Sequence, residues 1–160
     1  MCGSFDCGDA DLNEYFQKDS KHYRANLLTQ TYCLILQPVP DVAIALLDFC
    51  NDAVQLKNTA AELETDERAR TRSFPAVKLT RIGVAKKFRR QHIGSNALNM
   101  IKRFFTMDNR TGCRLITVDA YDNPEILSFY EKNNFQPLLP KDERENTRAL
   151  YFDLKRFVNT

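Results

Sequence analysis

The sequence predicts a mixed α/β (α+β) fold, a sheet flanked by helices. Two observations carry this. Leu79 to Phe105 opens with strand-forming residues and closes in a helical pattern, and Cys113 to Asn134 repeats that strand-then-helix order. Before them stand a helical stretch and two apolar runs. Right-handed crossovers would lay strands 75–84 and 113–121 side by side and parallel.

The helical stretch begins at Asp9-Ala10-Asp11-Leu12-Asn13-Glu14, with Asp11 read as the N-cap and Glu14 three residues on. Leu12, Tyr15, Phe16, Asp19, Tyr23 and Leu27 trace its face. Asp19 interrupts that face, so a long helix or a helix pair is expected. Thr31 to Leu36 is rich in strand formers and stops at Pro38-Val39-Pro40. Val42 to Val54 reads as its antiparallel partner, with Asp48, Asn51 and Asp52 making the latter half ambiguous. Residues 57–73 are charged and nearly free of large apolar side chains, which predicts a mobile charged loop or a short exposed helix; Arg68, Arg70 and Arg72 are the alternative, a polyanion-binding edge.

The central helix carries Ile93, Ala97, Leu98, Ile101, Phe104 and Phe105 on one face. Residues 108–112 have turn chemistry, and 113–121 form a strand. Asn123 then caps a helix with Pro124 at its first position, and Asn134 takes the left-handed position after its end. A charged turn at Lys141–Asn146 separates Phe135–Leu138 from a last strand over 148–154.

A chain of 160 residues suits one domain with a proper core. Apolar residues at 43% and charged residues at 28% describe a soluble globular protein. A net charge of +2 does not by itself argue for nucleic acid, but residues 81–90 hold five cations and no acid. The five cysteines lack metal-ligand spacing, which predicts free thiols and no metal site. With no signal peptide and no 18-residue apolar run, the expected location is the cytoplasm, away from membranes.

Between central strand and helix lies Lys86-Lys87-Phe88-Arg89-Arg90-Gln91-His92-Ile93-Gly94. A helix N-terminus presents N–H groups without intrahelical acceptors and a partial positive charge. Gly94 admits close approach to the backbone, and the cations attract phosphate. The arrangement reads as a pyrophosphate cradle, or more plainly as a solvated basic β–α loop. Neither GxxxxGK[ST] nor GxGxxG is present, which excludes a P-loop and a Rossmann fingerprint.

Residues 89–94, RRQHIG, resemble the [RQ]-x-x-G-x-[GA] acetyl-CoA signature of the GNAT superfamily of N-acetyltransferases, with His92 in place of the first glycine. If His92 takes the glycine's left-handed conformation it carries some strain, which His tolerates better than most residues. Residues 123–135, NPEILSFYEKNNF, resemble a second GNAT signature, a helix carrying FYxKxGF, with Asn134 replacing its glycine. Both stand in the family's order, and the resemblance covers 9–154. The opening FDCGDADLNEYF and closing TRALYFDLKRF are similar to a bacterial branch related to the acetyltransferase toxins of toxin–antitoxin pairs. In that branch a short strand precedes FDCG; here only four residues stand before Phe5, so that strand is expected to be absent or truncated.

The resemblance implies a mixed, mostly antiparallel sheet with a splayed central strand pair, and acetyl-CoA lying between those two strands. The backbone at Ile82, Gly83 and Val84 would bind the pantetheine and the acetyl carbonyl. Phe88, Arg89, Arg90, Gln91, His92, Ile93, Gly94 and Ser95 would hold the pyrophosphate, and Asn123 would touch the pantetheine arm. Tyr130 matches the family's general acid; its plainer reading is helix core beside Phe129. Asp48, Asp119, Glu125 or a water chain are candidates for the base. His22 reads as a surface residue, and His92 is given no catalytic role.

The function so implied is acetyl transfer from acetyl-CoA to a primary amine on a small molecule or protein. The alternatives are a toxin acetylating aminoacyl-tRNA, partnered by an antitoxin, and a non-catalytic coenzyme A-binding module. Tyr151 and Phe157 are candidates for the edge of a homodimer.

Overall fold

The computed structural model describes residues 4–37, 39–55, 73–109, 111–139 and 146–158, without the side chains of 39–41. The charged segment expected as a mobile loop lies almost wholly outside the described residues, as does most of the Lys141–Asn146 turn.

Six strands form one sheet in the order β1-β2-β3-β4-β6-β5: β1 (Gln30–Leu36), β2 (Val39–Gln55), β3 (Ser73–Val84), β4 (Leu115–Tyr121), β5 (Gln136–Pro137) and β6 (Thr147–Asp153). β1 pairs antiparallel with β2 from Gln30↔Phe49 to Leu36↔Val39, with register shifts on either side of Ile35, and β2 continues to Gln55, so its polar half is also strand. β3 and β4 are parallel, as the crossover rule requires, over Ala76↔Leu115, Val77↔Ile116 and Lys78↔Thr117. That ladder stops at Lys78, as a splayed pair demands, although β3 continues to Val84. β4 remains antiparallel to β6 along its whole length, from Leu115↔Asp153 to Tyr121↔Thr147. β5 pairs antiparallel with β6. Among the described residues no strand precedes the first helix.

The chain divides into two compact units. The first comprises Met1–Cys50 and Leu79–Met100. Its helical stretch is α1 (Ala10–Glu14), a π-helical turn (Tyr15–Asp19) and α2 (Ser20–Ala25), contiguous and with Glu14, Tyr15, Asp19 and Ser20 all in right-handed helical backbone, so the chain does not break at Asp19 but passes through a π-helical turn that ends there. Asp9, not Asp11, is the N-cap: its carboxylate accepts from Leu12 N at 3.0 Å, placing Asp11 inside the first turn. Leu27 falls beyond the helix in a left-handed conformation and is exposed, so it leaves the apolar face. Phe5, Cys7, Tyr15, Phe16, Leu46 and Ala85 form this unit's core.

The second unit comprises Asn51–Lys78 and Ile101–Thr160, with a core of Val54, Phe74, Ala76, Leu115 and Tyr151. Tyr151 is therefore interior, its hydroxyl donating to Gln136 Oε1 at 3.0 Å, and Phe157 is half-buried; Tyr151 is no dimer edge. The final strand ends at Asp153, and Leu154 opens a short helix, α5 (Leu154–Val158), which the strand-like sequence had hidden.

α3 (Ile93–Thr106) contributes to both units. Ala97, Leu98 and Ile101 are buried, but Phe104 is 55% exposed. The covered face includes Lys102 instead, four residues from Leu98 and only 3% exposed. α4 (Pro124–Lys132) belongs to the second unit. Asn123 caps it, accepting from Glu125 N at 2.9 Å, with Pro124 in its first turn and Asn134 left-handed (φ 63°) just beyond it.

Among the described residues no helix is long and apolar enough to cross a membrane, and no three His, Cys, Asp or Glu side chains are grouped to hold a metal ion. Cys7, Cys33, Cys50 and Cys113 are free thiols.

Candidate active site

In the first unit the end of β3 leads into a tight basic turn. Ile82 and Val84 are half-buried and Gly83 is buried, its α-carbon facing Phe5 and Phe16; a Cβ there would lie 3.2 Å from Phe5 Cε1 and 3.3 Å from Phe16 Cε2. Gly83 therefore answers to core packing as well as to any ligand. Lys86–Phe88 form one 3₁₀ turn, closed by Phe88 N donating to Ala85 O at 2.8 Å. Arg90 (φ 58°) and His92 (φ 57°) are both left-handed. The signature's missing glycine explains His92, whereas nothing in the sequence marks Arg90.

α3 then starts, Asn96 N donating to His92 O at 3.0 Å, with no acid in the first turn. Helix geometry leaves the leading N–H groups without intrahelical acceptors. Ile93, Gly94 and Ser95, in that first turn, are half-buried; Arg89, Arg90, Gln91 and His92 are exposed, and Phe88 is half-buried. Backbone donors, a positive dipole end and exposed cations are features that suit an anion.

The basic run is not a free charge cloud. The Arg81 guanidinium lies 3.5 Å from the centroid of the Tyr15 ring. Lys86 pairs with Asp6 at 3.0 Å, Arg89 donates to the Cys7 carbonyl, and Gln91 Nε2 donates to Lys87 O at 3.3 Å. Sequence reasoning passed over Asp6, whose spacing to Gly8 is the signal of a side-chain turn: Gly8 N donates to Asp6 Oδ1 at 2.8 Å.

In the second unit, Asn123 is exposed and spends its side-chain oxygen on the α4 cap. Tyr130 is buried, its ring edge-on to Phe129 (5.1 Å) and Phe135 (5.3 Å). Burial pushes the phenol well above its ordinary pKa, so Tyr130 keeps its proton at neutral pH. Such a group can donate a proton but does not act as a base.

The candidate bases fare differently. Asp48 is fully buried in the first unit, with hydroxyl donors on both oxygens: Thr31 at 2.6 Å, Tyr15 at 2.7 Å and Thr80 at 2.8 Å. A carboxylate so enclosed is a structural acceptor and not a base at a cleft rim. Asp119 pairs with Lys78, and Glu125 is exposed in the first turn of α4. His22 is exposed on α2.

A family model described as an acetyltransferase (GNAT) domain matches residues 58–137. The chain belongs to the GNAT acetyltransferases. It is accordingly an acetyl-CoA-dependent acyltransferase, and the matched range contains both segments, 89–94 and 123–135. Comparison with curated proteins finds no match. Solved structures share the fold: a bacterial toxin with 16% identity and TM-score 0.80, over 98% of this chain and 84% of its own. AtaTR bound with acetyl-CoA has 21% identity and TM-score 0.76, over 100% and 91%. AtaT complexed with acetyl-methionyl-tRNAfMet has 20% identity and TM-score 0.74, over 99% and 91%.

Proposed function

We propose that this GNAT acetyltransferase transfers the acetyl group of acetyl-CoA directly to a primary amine, with Tyr130 as the general acid. The observation that carries the reading is the turn 86–95: cations and left-handed backbone feeding a helix whose first turn holds no acid. Such a turn suits the pyrophosphate of acetyl-CoA, with Phe88, Arg89, Arg90, Gln91, His92, Ile93, Gly94 and Ser95 as its contacts. The backbone at Ile82, Gly83 and Val84 takes the pantetheine and polarises the thioester carbonyl. The amide nitrogen of Asn123, whose oxygen is committed to the cap, contacts the pantetheine arm.

The neutral amine attacks the carbonyl carbon, and strand N–H groups stabilise the resulting oxyanion. Collapse breaks the C–S bond; the departing thiolate takes the Tyr130 proton while the amine nitrogen loses its own to water. The tyrosinate regains a proton from solvent. Water is the base because Asp48 is enclosed, Asp119 is paired and Glu125 lies on the surface.

An aminoacyl-tRNA is the acceptor favoured by likeness to AtaT in complex with acetyl-methionyl-tRNAfMet. An antitoxin partner is proposed on the same footing, since AtaT is also solved bound to the C-terminus of AtaR.

Isothermal titration with acetyl-CoA tests the reading. Micromolar binding by the wild type, abolished by Gly94→Trp, is expected; no binding by the wild type overturns it. Mass spectrometry of charged tRNA, free amino acids and small amines after incubation with acetyl-CoA then identifies the acceptor.

A further inference from the structure

The basic turn contains two left-handed residues, Arg90 and His92, neither of which is glycine. Each such residue costs on the order of 1–2 kcal/mol and persists only where the surroundings over-determine it. Within the turn itself Phe88 N reaches Ala85 O at 2.8 Å, Arg89 N reaches Lys86 O at 3.2 Å, and Gln91 Nε2 reaches Lys87 O at 3.3 Å. A further constraint on the turn comes from about eighty residues earlier in the chain.

Ser4–Gly8 is anchored by Phe5 and Cys7, both in the first unit's core. Asn13 of α1 then shapes it. Its Oδ1 accepts from Cys7 N at 2.8 Å and lies 3.1 Å from Cys7 Sγ, while its Nδ2 donates to Asp6 Oδ1 at 2.8 Å. Asp6 Oδ1 also receives Gly8 N, so the carboxylate is fixed before it meets a cation.

The segment so shaped grips both ends of the 3₁₀ turn. Lys86 N donates to Asp6 O at 3.0 Å, and Lys86 Nζ pairs with Asp6 Oδ2 at 3.0 Å. At the other end the Arg89 guanidinium donates to the Cys7 carbonyl. Gly8 (φ +80°) fits beneath them: a Cβ there would lie 2.6 Å from Lys86 Cε and 3.2 Å from Arg89 Nη2. Both its backbone conformation and the space around it call for glycine.

We infer that the Asp6–Gly8 turn, braced by Asn13, is a clamp that positions the phosphate-binding turn at Lys86 and Arg89. This rests on the reading of 86–95 as the pyrophosphate site. Asp6, Gly8 and Asn13 are positioning residues; they act through the cations and not on the cosubstrate.

The clamp predicts a defect confined to the phosphate-bearing part of the cosubstrate. Asp6→Asn keeps the oxygen that receives Gly8 N and Asn13 Nδ2, but turns an amide toward the Lys86 ammonium. Gly8→Ala pushes Lys86 aside. Isothermal titration with acetyl-CoA should show about tenfold weaker binding for either variant. Saturation-transfer NMR with S-acetylpantetheine, which has the same thioester and arm without phosphates, should show wild-type affinity. Equal losses for both ligands would mean general damage to the fold and overturn the clamp, as would unchanged acetyl-CoA affinity in both variants. Failure of the wild type to bind acetyl-CoA would instead overturn the pyrophosphate reading itself, and the clamp with it.

Discussion

Tyr15 donates its hydroxyl hydrogen to Asp48 Oδ2 at 2.7 Å, in the core of the first unit. The bond joins the π-helical turn to β2, and Thr31 and Thr80 complete the acceptor's shell from β1 and β3. A buried carboxylate held by three hydroxyls is costly to disturb, because every lost donor leaves charge unsolvated.

Tyr15→Phe should therefore lower unfolding free energy by about 2 kcal/mol, the range for a hydrogen bond to a charged group, as read by urea denaturation at neutral pH. Burial raises the Tyr15 pKa to about 12, and Asp48 adds to the rise. The unfolded phenol ionises near 10. Its contribution is thus complete below about pH 10 and is lost as pH climbs through about 12. The variant should lack that alkaline loss.

Replacing Tyr130 by Phe tests the general acid. The ring remains to pack on Phe129 and Phe135, so the fold and acetyl-CoA binding should be retained. The acetyl-transfer kcat should fall by about a hundredfold or more, the usual contribution of a positioned proton donor. An unchanged kcat would reduce Tyr130 to helix core.

The features legible in sequence were the local ones. Asn123-Pro124 announces a helix start and Asn134 its end, since caps depend on residues a few positions apart. Strand–turn–helix order and the crossover rule then gave the parallel pair. What escaped notice depends on distant partners. Asp48 reads as a candidate base until Tyr15, Thr31 and Thr80 surround it. Tyr151 reads as exposed until the second core closes over it. The choice of Asp9 over Asp11 as cap was beyond spacing alone, because both acids precede the same apolar stripe.

Asn123→Ala removes the acceptor for Glu125 N and Ile126 N at the start of α4. Loss of an N-cap costs about 1 kcal/mol. Chemical denaturation should show that decrease, with Asn123→Asp restoring most of it because a carboxylate caps equally well and favours the helix dipole.

Gly83→Val should destabilise the protein by about 1–3 kcal/mol through overpacking against Phe5 and Phe16, the two rings already meeting edge-on at 5.7 Å. A denaturant midpoint close to wild type would show that these rings can yield.

Lys102 supplies a test of opposite sign to Tyr15. Its ammonium donates to Asn133 O at 2.9 Å and sits 4.0 Å from the Phe152 centroid, yet burial lowers its pKa to about 8. An unfolded lysine titrates near 10.4. Between those values the unfolded chain binds the proton and the native one releases it, so stability should rise with pH across about 8 to 10. The full shift corresponds to at most about 3 kcal/mol, and the carbonyl and ring reduce it by favouring the charge. Urea midpoints at intervals over that range, which lies below the Tyr15 transition, should climb in wild type and stay flat relative to it in Lys102→Met. Equal slopes would mean that the ring and carbonyl hold the lysine charged throughout.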